Sequence, residues 1–174
     1  THMVTLSLKN NSYLEFIPEQ IIPYKNSRFY QKTTLDIDDS STAVYSETIV
    51  PGRIAMGEMF DFDICYLKTE GSLNQKIQFR DSSLLMPKSQ KIQSLVMFDD
   101  KTILTSVYVL TKKHVTKINN LINEMFSNIQ GILGGSSILP NDLGVSIRIL
   151  GNSSEEQKTT IYQILKIIRK EILP

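Results

Sequence analysis

The hydrophobic periodicity of this chain changes once, after Leu110, and that change limits the folds open to it. Before it, apolar residues recur every second position, as on a strand with one buried face. Val4, Leu6 and Leu8 alternate with Thr5, Ser7 and Lys9. Phe29, Gln31, Thr33, Leu35 and Ile37 alternate with Tyr30, Lys32, Thr34, Asp36 and Asp38. Ile103 to Leu110 reads as a further strand. After it, Val115, Ile118, Leu121, Ile122, Met125 and Ile129 follow helical spacing, with Gly131 as the stop. A short strand is expected within residues 131–140, ending at Pro140, with Gly134 and Gly135 as a bend or bulge, and a second over Gly144 to Leu150. Ser153 and Glu156 have capping-box spacing, and Ile161, Ile164, Leu165, Ile168 and Ile172 form the apolar stripe of a closing helix. Strands first and helices last predict an α+β fold, mostly β, with segregated layers rather than a parallel α/β sheet. The expected unit is one domain over residues 4–173, strand-rich over 4–110 and helix-strand-strand-helix over 111–173. Thr1-His2-Met3 reads as a cloning remnant and is left out of the fold.

A weak internal repeat sharpens the β part. Val4 to Phe16 can be laid on Thr33 to Tyr45, matching Thr5 with Thr34, Leu6 with Leu35 and Ser12 with Ser41; a third copy from Asp63 fits less well. A true repeat of about 30 residues implies stacked strand pairs, a β-helix-like body or stacked sheets. The chance likeness of any two β-hairpins stands beside that reading. Pro18 and Pro23 bracket a segment that cannot be a central strand throughout.

Composition closes several function classes. The chain has 174 residues, 41% of them hydrophobic, enough for a sizeable core. Lys plus Arg is 19 against 18 for Asp plus Glu, so the net charge of +1 offers no electrostatic case for nucleic acid or an anionic membrane. One cysteine, Cys65, forbids an internal disulfide and allows an intracellular home. Besides His2 there is only His114, expected in a first helical turn, so His/Cys zinc spacings are missing. No Gly-x-Ser-x-Gly elbow appears, and the glycines from Gly131 lack a phosphate loop's Gly-Lys-Ser/Thr ending.

One segment remains as a candidate site. Pro51 and Gly52 fit a type II turn over Val50 to Arg53. Before it, Ala43, Tyr45, Glu47 and Ile49 share a strand face; after it, Glu58, Phe60, Phe62, Ile64 and Tyr66 are expected to share another. Two carboxylates, Glu47 and Glu58, therefore lie in register with apolar neighbours and need a cation, a metal or water. The structural reading is an Arg53–Glu58 ion pair that pins a hairpin while Glu47 reaches water. The functional reading is a weak oxygen-ligand site for a divalent ion, better suited to transfer than to storage.

Pro51-Gly52-Arg53-x-Ala55-x-Gly57-Glu58-x-Phe60 resembles the signature of urease accessory proteins of the D type, called H in some bacteria. Ser12-Tyr13-Leu14-Glu15-Phe16-Ile17-Pro18, Ile22-Pro23-Tyr24 and Phe29-Tyr30-Gln31 upstream agree with it. So do Gly144-Val145-Ser146-Ile147-Arg148-Ile149-Leu150 and the closing helix with Arg169. Members of the family carry a further N-terminal third, so this chain is expected to be a truncation or a short member, with an exposed sheet edge. The resemblance implies a non-enzymatic, cytoplasmic chaperone that helps deliver nickel to apo-urease with the F and G accessory proteins, with a homodimer allowed within the complex. It implies no tightly bound cofactor, transient nickel, and an internal tunnel. Glu47 and Glu58 become candidate metal residues, and Pro51, Gly52, Arg53, Gly57 and Glu58 candidates for the motif that borders the route. The alternatives are a β-rich binding module with an unrelated ligand and, behind it, a hydrolase using Glu47 and Glu58 as a carboxylate pair.

Overall fold

A computed structural model describes residues 1–92, 94 and 98–173. The alternating segments form β1 (His2–Leu8), β2 (Tyr13–Phe16), β3 (Arg28–Ile37), β4 (Thr42–Ile49), β5 (Ile64–Leu73), β6 (Lys76–Leu85) and β7 (Ile103–Leu110). The remaining elements are α1 (Val115–Ser127), β8 (Leu133–Ile138), β9 (Gly144–Gly151) and α2 (Ser154–Ile172). The first sheet has the order β1-β3-β5-β6, and the second β2-β4-β7-β9-β8. Thus the predicted fold class holds: a mostly β body with both helices in the C-terminal part. His2 and Met3, set aside in the sequence reading, are the first residues of β1 and pair with Gln31 and Lys32.

The internal repeat is the register of the fold. Val4 pairs with Thr33 and Tyr13 with Thr42, both in parallel, so the first coil stacks on the second in both sheets at once. The polar corners stack too. The backbone N–H of Asn10 donates to Asp38 Oδ2 (2.8 Å) and that of Asn11 to Ser40 Oγ (2.8 Å), while Ser40 and Ser41 donate to Asp38 Oδ1. These hydrogen bonds satisfy corner amides that no ladder reaches and hold the Asp38 carboxyl below its ordinary range, the Ser41 bond contributing most. The third copy fails. Thr33 pairs with Thr69, not Asp63, because the chain makes an irregular excursion between β4 and β5 before it rejoins the first sheet.

That excursion also corrects the hairpin expectation. β4 lies in the second sheet and β5 in the first, so Pro51 to Asp63 is a crossover. The strand expected from Glu58 starts at Ile64. Ile54–Met56 is a 3-10 turn, Gly57 is left-handed at φ 73°, and Phe60 has φ 55°. Phe62 is buried in the core while Tyr66 packs on Tyr30, so the face proposed for Glu58 to Tyr66 does not exist.

The second sheet is covered twice, which is why every residue of β4 is buried. One face (Val44, Val107, Val109, Val145, Ile147, Ile149) packs on Ile118, Ile122 and Phe126 of α1 and Ile161, Ile164, Leu165 and Ile168 of α2. Ser153 Oγ accepts from the Glu156 N–H (3.3 Å), capping α2 as its spacing predicts. Helix α1 stops at Ser127, ahead of Gly131. Gly134 is not a bulge: β8 and β9 pair without interruption, and a Cβ there would lie 2.1 Å from Phe126 Cε1. The bulge lies instead between Gly71 and Ser72, where Phe79 crosses the missing side chain of Gly71.

Candidate functional site

The space between the two sheets holds two apolar clusters. Leu35, Ile37, Ala43, Phe79, Leu110 and Leu143 fill one end. Ile49, Phe62, Cys65, Leu67, Leu85 and Phe98 fill the other. A polar layer divides them. On the first sheet it is the cross-strand row Thr33–Thr69–Asp81, and on the second the row Glu47–Ser106–Arg148. Tyr45 and Tyr108 reach into it from the neighbouring row of the second sheet, their rings stacked 6.2 Å apart.

Glu47 does not reach water. It is 4% exposed. Its Oε2 accepts from the Tyr45 hydroxyl (3.1 Å) and from Gln31 Nε2 (3.3 Å), and Tyr45 in turn accepts from Gln31 Nε2 (2.9 Å) and Thr33 Oγ1 (3.0 Å). Burial pushes the Glu47 carboxyl above its ordinary value, against the Tyr45 hydrogen bond and the Arg148 charge. Burial and the Glu47 charge likewise push the Tyr45 hydroxyl upward. At one end of the layer, Glu47, Gln31 and Tyr45 border a cleft of about 520 Å³ between the sheet edges, walled by Phe16, Ile21 and Phe29. At the other end Asp81 accepts from Arg148 Nη2 and from the Tyr108 hydroxyl (3.1 Å), and Arg148 lies 5.3 Å from the centre of the Tyr108 ring. Between the ends, Thr69 Oγ1 is buried without a hydrogen-bond partner among the described residues.

Glu58 is elsewhere. Arg53 Nε donates to its Oε2 (3.0 Å), Arg53 Nη2 donates to its Oε1, and the Lys25 N–H adds a third hydrogen bond (3.1 Å). The Arg53 bond is the main reason that the Glu58 carboxyl titrates below its ordinary value. Arg53 also stacks 4.3 Å over the Tyr24 ring. The ion-pair half of the structural reading therefore stands, although what it pins is a crossover. Gly52 has φ 139°, and a Cβ there would meet the Glu58 carbonyl oxygen at 3.0 Å and that of Pro23 at 3.3 Å. Pro51 accepts at its carbonyl from the Phe60 N–H (2.7 Å), and the Gly57 N–H closes the 3-10 turn onto Ile54 (2.9 Å). The motif residues thus brace one loop, while Glu47 and Glu58 share no hydrogen-bond partner. Cys65 is buried, its thiol pushed up to about 12 by burial, and is no nucleophile. His114 is exposed at the residue before α1. Among the described residues, no three His, Cys, Asp or Glu side chains converge as a metal cluster. None of the described helices is long and apolar enough to cross a membrane.

The family model for the UreD urease accessory protein matches residues 1–174. The chain belongs to the UreD family. Among curated relatives, the urease accessory protein UreD of Cenarchaeum symbiosum is 32% identical over 98% of this chain and 61% of its own length. UreD 2 of Brucella canis is 32% identical over 99% of the chain and 58% of its own length, and UreD of Yersinia enterocolitica 33% over 96% and 54%. The chain therefore spans less than two thirds of the relatives it matches.

Sequence reasoning found Glu47 and missed the layer around it. Thr33, Thr69, Asp81, Ser106, Tyr108 and Arg148 come from five strands, and only sheet pairing brings them level. The one available signal was phase: Gln31 and Thr33 sit among inward apolar positions of β3, and Arg148 falls out of phase with Val145, Ile147 and Ile149. Arg169, quoted for its place in the closing helix, holds Glu15 of β2 through Nε (2.7 Å) and Nη2 (2.5 Å) and so ties α2 to the first coil.

Proposed function

We propose that the protein is a non-enzymatic urease maturation factor that helps place nickel in apo-urease, acting in the cytoplasm with the F- and G-type accessory proteins. Membership of the UreD family along the whole chain carries this reading. Nickel is cargo in it, not a resident cofactor. A carrier that must release its ion needs few oxygen ligands in series rather than a closed chelate. The polar layer suits that demand. Glu47 stands at the cleft end, the Thr33, Thr69 and Ser106 positions follow, and the Thr69 hydroxyl is a buried polar group with no partner among the described residues. Glu58, Arg53 and the motif glycines then act at one remove, by fixing the crossover that seals the end of the apolar cluster behind Glu47.

A reconstitution tests both levels. Apo-urease is incubated with the F- and G-type proteins, GTP, nickel and this protein, and the nickel per urease is measured. Omission of the protein should leave urease largely empty; full loading without it would refute the maturation role. Replacing Thr69 and Ser106 together by valine should slow loading while complex formation persists. Unchanged loading would refute the route while leaving the maturation role intact.

A further inference from the structure

We propose that the outer face of the first sheet is a docking surface for an acidic protein segment. No described helix or loop covers this face, whereas both faces of the second sheet are covered. On it Lys32 and Lys68 stand directly opposite each other on neighbouring strands. Like charges so placed repel. Glu70 answers them alone: Lys32 Nζ lies 2.8 Å from its Oε2, with Lys68 Nζ (3.0 Å) and Arg80 Nε (2.9 Å) at Oε1. Three cations on one carboxylate leave a local surplus of positive charge in a protein whose net charge is only +1. The side chain of Glu70 is 7% exposed while that of Arg80 is 59% exposed, so the cations, not the anion, meet the solvent.

The next cross-strand row is apolar. Tyr30 and Tyr66 pack at 5.4 Å, flanked by exposed Leu84 of β6, and Met3 of β1 is exposed beside Lys32. Tyrosine beside arginine and lysine, on a flat rigid support, is the composition of an interface centre with a charged rim. Complementary charge selects the occupant. The anion these side chains already hold is a carboxylate, so aspartate and glutamate side chains are what the lysine and arginine heads fit. Nucleic acid fits less well, since the two tyrosines pack against each other rather than offering free faces to bases.

The test uses poly-L-glutamate as the probe, with oligothymidylate as the competing class. Amide shifts in an NMR titration should centre on residues 30–34, 66–70 and 80–84. The affinity should fall roughly tenfold on moving from low to high salt, as screening requires. It should fall by a similar factor in the double variant Lys68→Gln/Arg80→Gln and hold in Lys68→Arg/Arg80→Lys, with melting temperatures reported for each. No binding of poly-L-glutamate, shifts centred elsewhere, or full binding by the Gln variant would overturn the proposal. Tighter binding of oligothymidylate through the same residues would overturn it in favour of nucleic acid. Should the Gln variant unfold, Tyr66→Ser replaces it: it keeps every charge and should weaken binding of a Glu/Phe copolymer more than that of poly-L-glutamate. Equal losses would refute the apolar row's part.

Discussion

Two substitutions of Glu47 separate its carboxylate charge from its hydrogen bonds. Glu47→Ala removes the acceptor of the Tyr45 hydroxyl. Tyr45 already accepts from Gln31 and Thr33, so its own proton is left without a partner, whereas Gln31 Nε2 keeps its bond to Tyr45. One orphaned buried donor costs about 1–3 kcal/mol. Glu47→Gln keeps a carbonyl acceptor of the same shape and removes a buried charge. Its effect depends on pH with a definite sign. The folded protein holds the Glu47 proton more tightly than the unfolded chain does, because burial raises the carboxyl above its ordinary 4.5. Between 4.5 and that raised value the native state binds more protons, so wild-type stability falls as pH rises, by at most about 1.4 kcal/mol per pH unit from this one group. Above the raised value the penalty is constant. Glu47→Gln lacks the slope, and should match or exceed wild type at pH 8 while losing that advantage near pH 4. Urea unfolding at a series of pH values, followed by tyrosine fluorescence and far-UV circular dichroism, measures both. A Gln variant less stable than wild type at pH 8 would refute the reasoning, because it would mean that Arg148, Tyr45 and Gln31 favour the buried anion more than burial disfavours it.

Other expectations follow from the same geometry. Gly52→Ala should cost about 1–3 kcal/mol in urea unfolding, since it adds a Cβ between two carbonyl oxygens at a φ of 139°; a neutral effect would mean that the crossover relaxes freely. Leu35→Ala, at a fully buried position where the coils stack, should cost about 2–5 kcal/mol. Its melt should remain cooperative if the coils unfold together. Glu58→Ala should lower the melting temperature by less than Leu35→Ala does, because Arg53 keeps its place over Tyr24 and part of its solvent contact; a larger drop would show that the ion pair, not the core, governs the crossover. Glu70, held at about 2 mainly by its bond from Lys32, contributes stability that is present above pH 4.5 and lost as the pH falls toward 2. Glu70→Gln should flatten that acid limb in a pH titration of the melting temperature.

Periodicity was enough to place most elements, because a one-face burial pattern is a local property of strands and helices. The strand from Ile103 to Leu110, the two helices and the Ser153 cap of α2 appear where the pattern puts them, α1 ending a few residues early, and the Val4/Thr33 alignment proved to be the pairing register itself. The same local logic failed after Pro51. There alternation continued on paper through Phe60, Phe62 and Ile64, yet left-handed backbone at Gly57 and Phe60 broke the strand, and Phe62 turned into the core. Alternation cannot register a change of sheet, because two strands in different sheets and two in one hairpin carry the same pattern.

By its sequence alone the chain determined its class, its repeat, its family and the pairing of Arg53 with Glu58, since each depends on residues close in sequence or on spaced motifs. Only the tertiary structure decided what Glu47 is. Its neighbours Gln31, Thr33, Ser106 and Arg148 come from strands far apart in the chain, and the stacking of two sheets converts a half-exposed carboxylate into a buried one with a raised affinity for its proton. That conversion is a matter of dielectric and distance, which no spacing along the chain encodes.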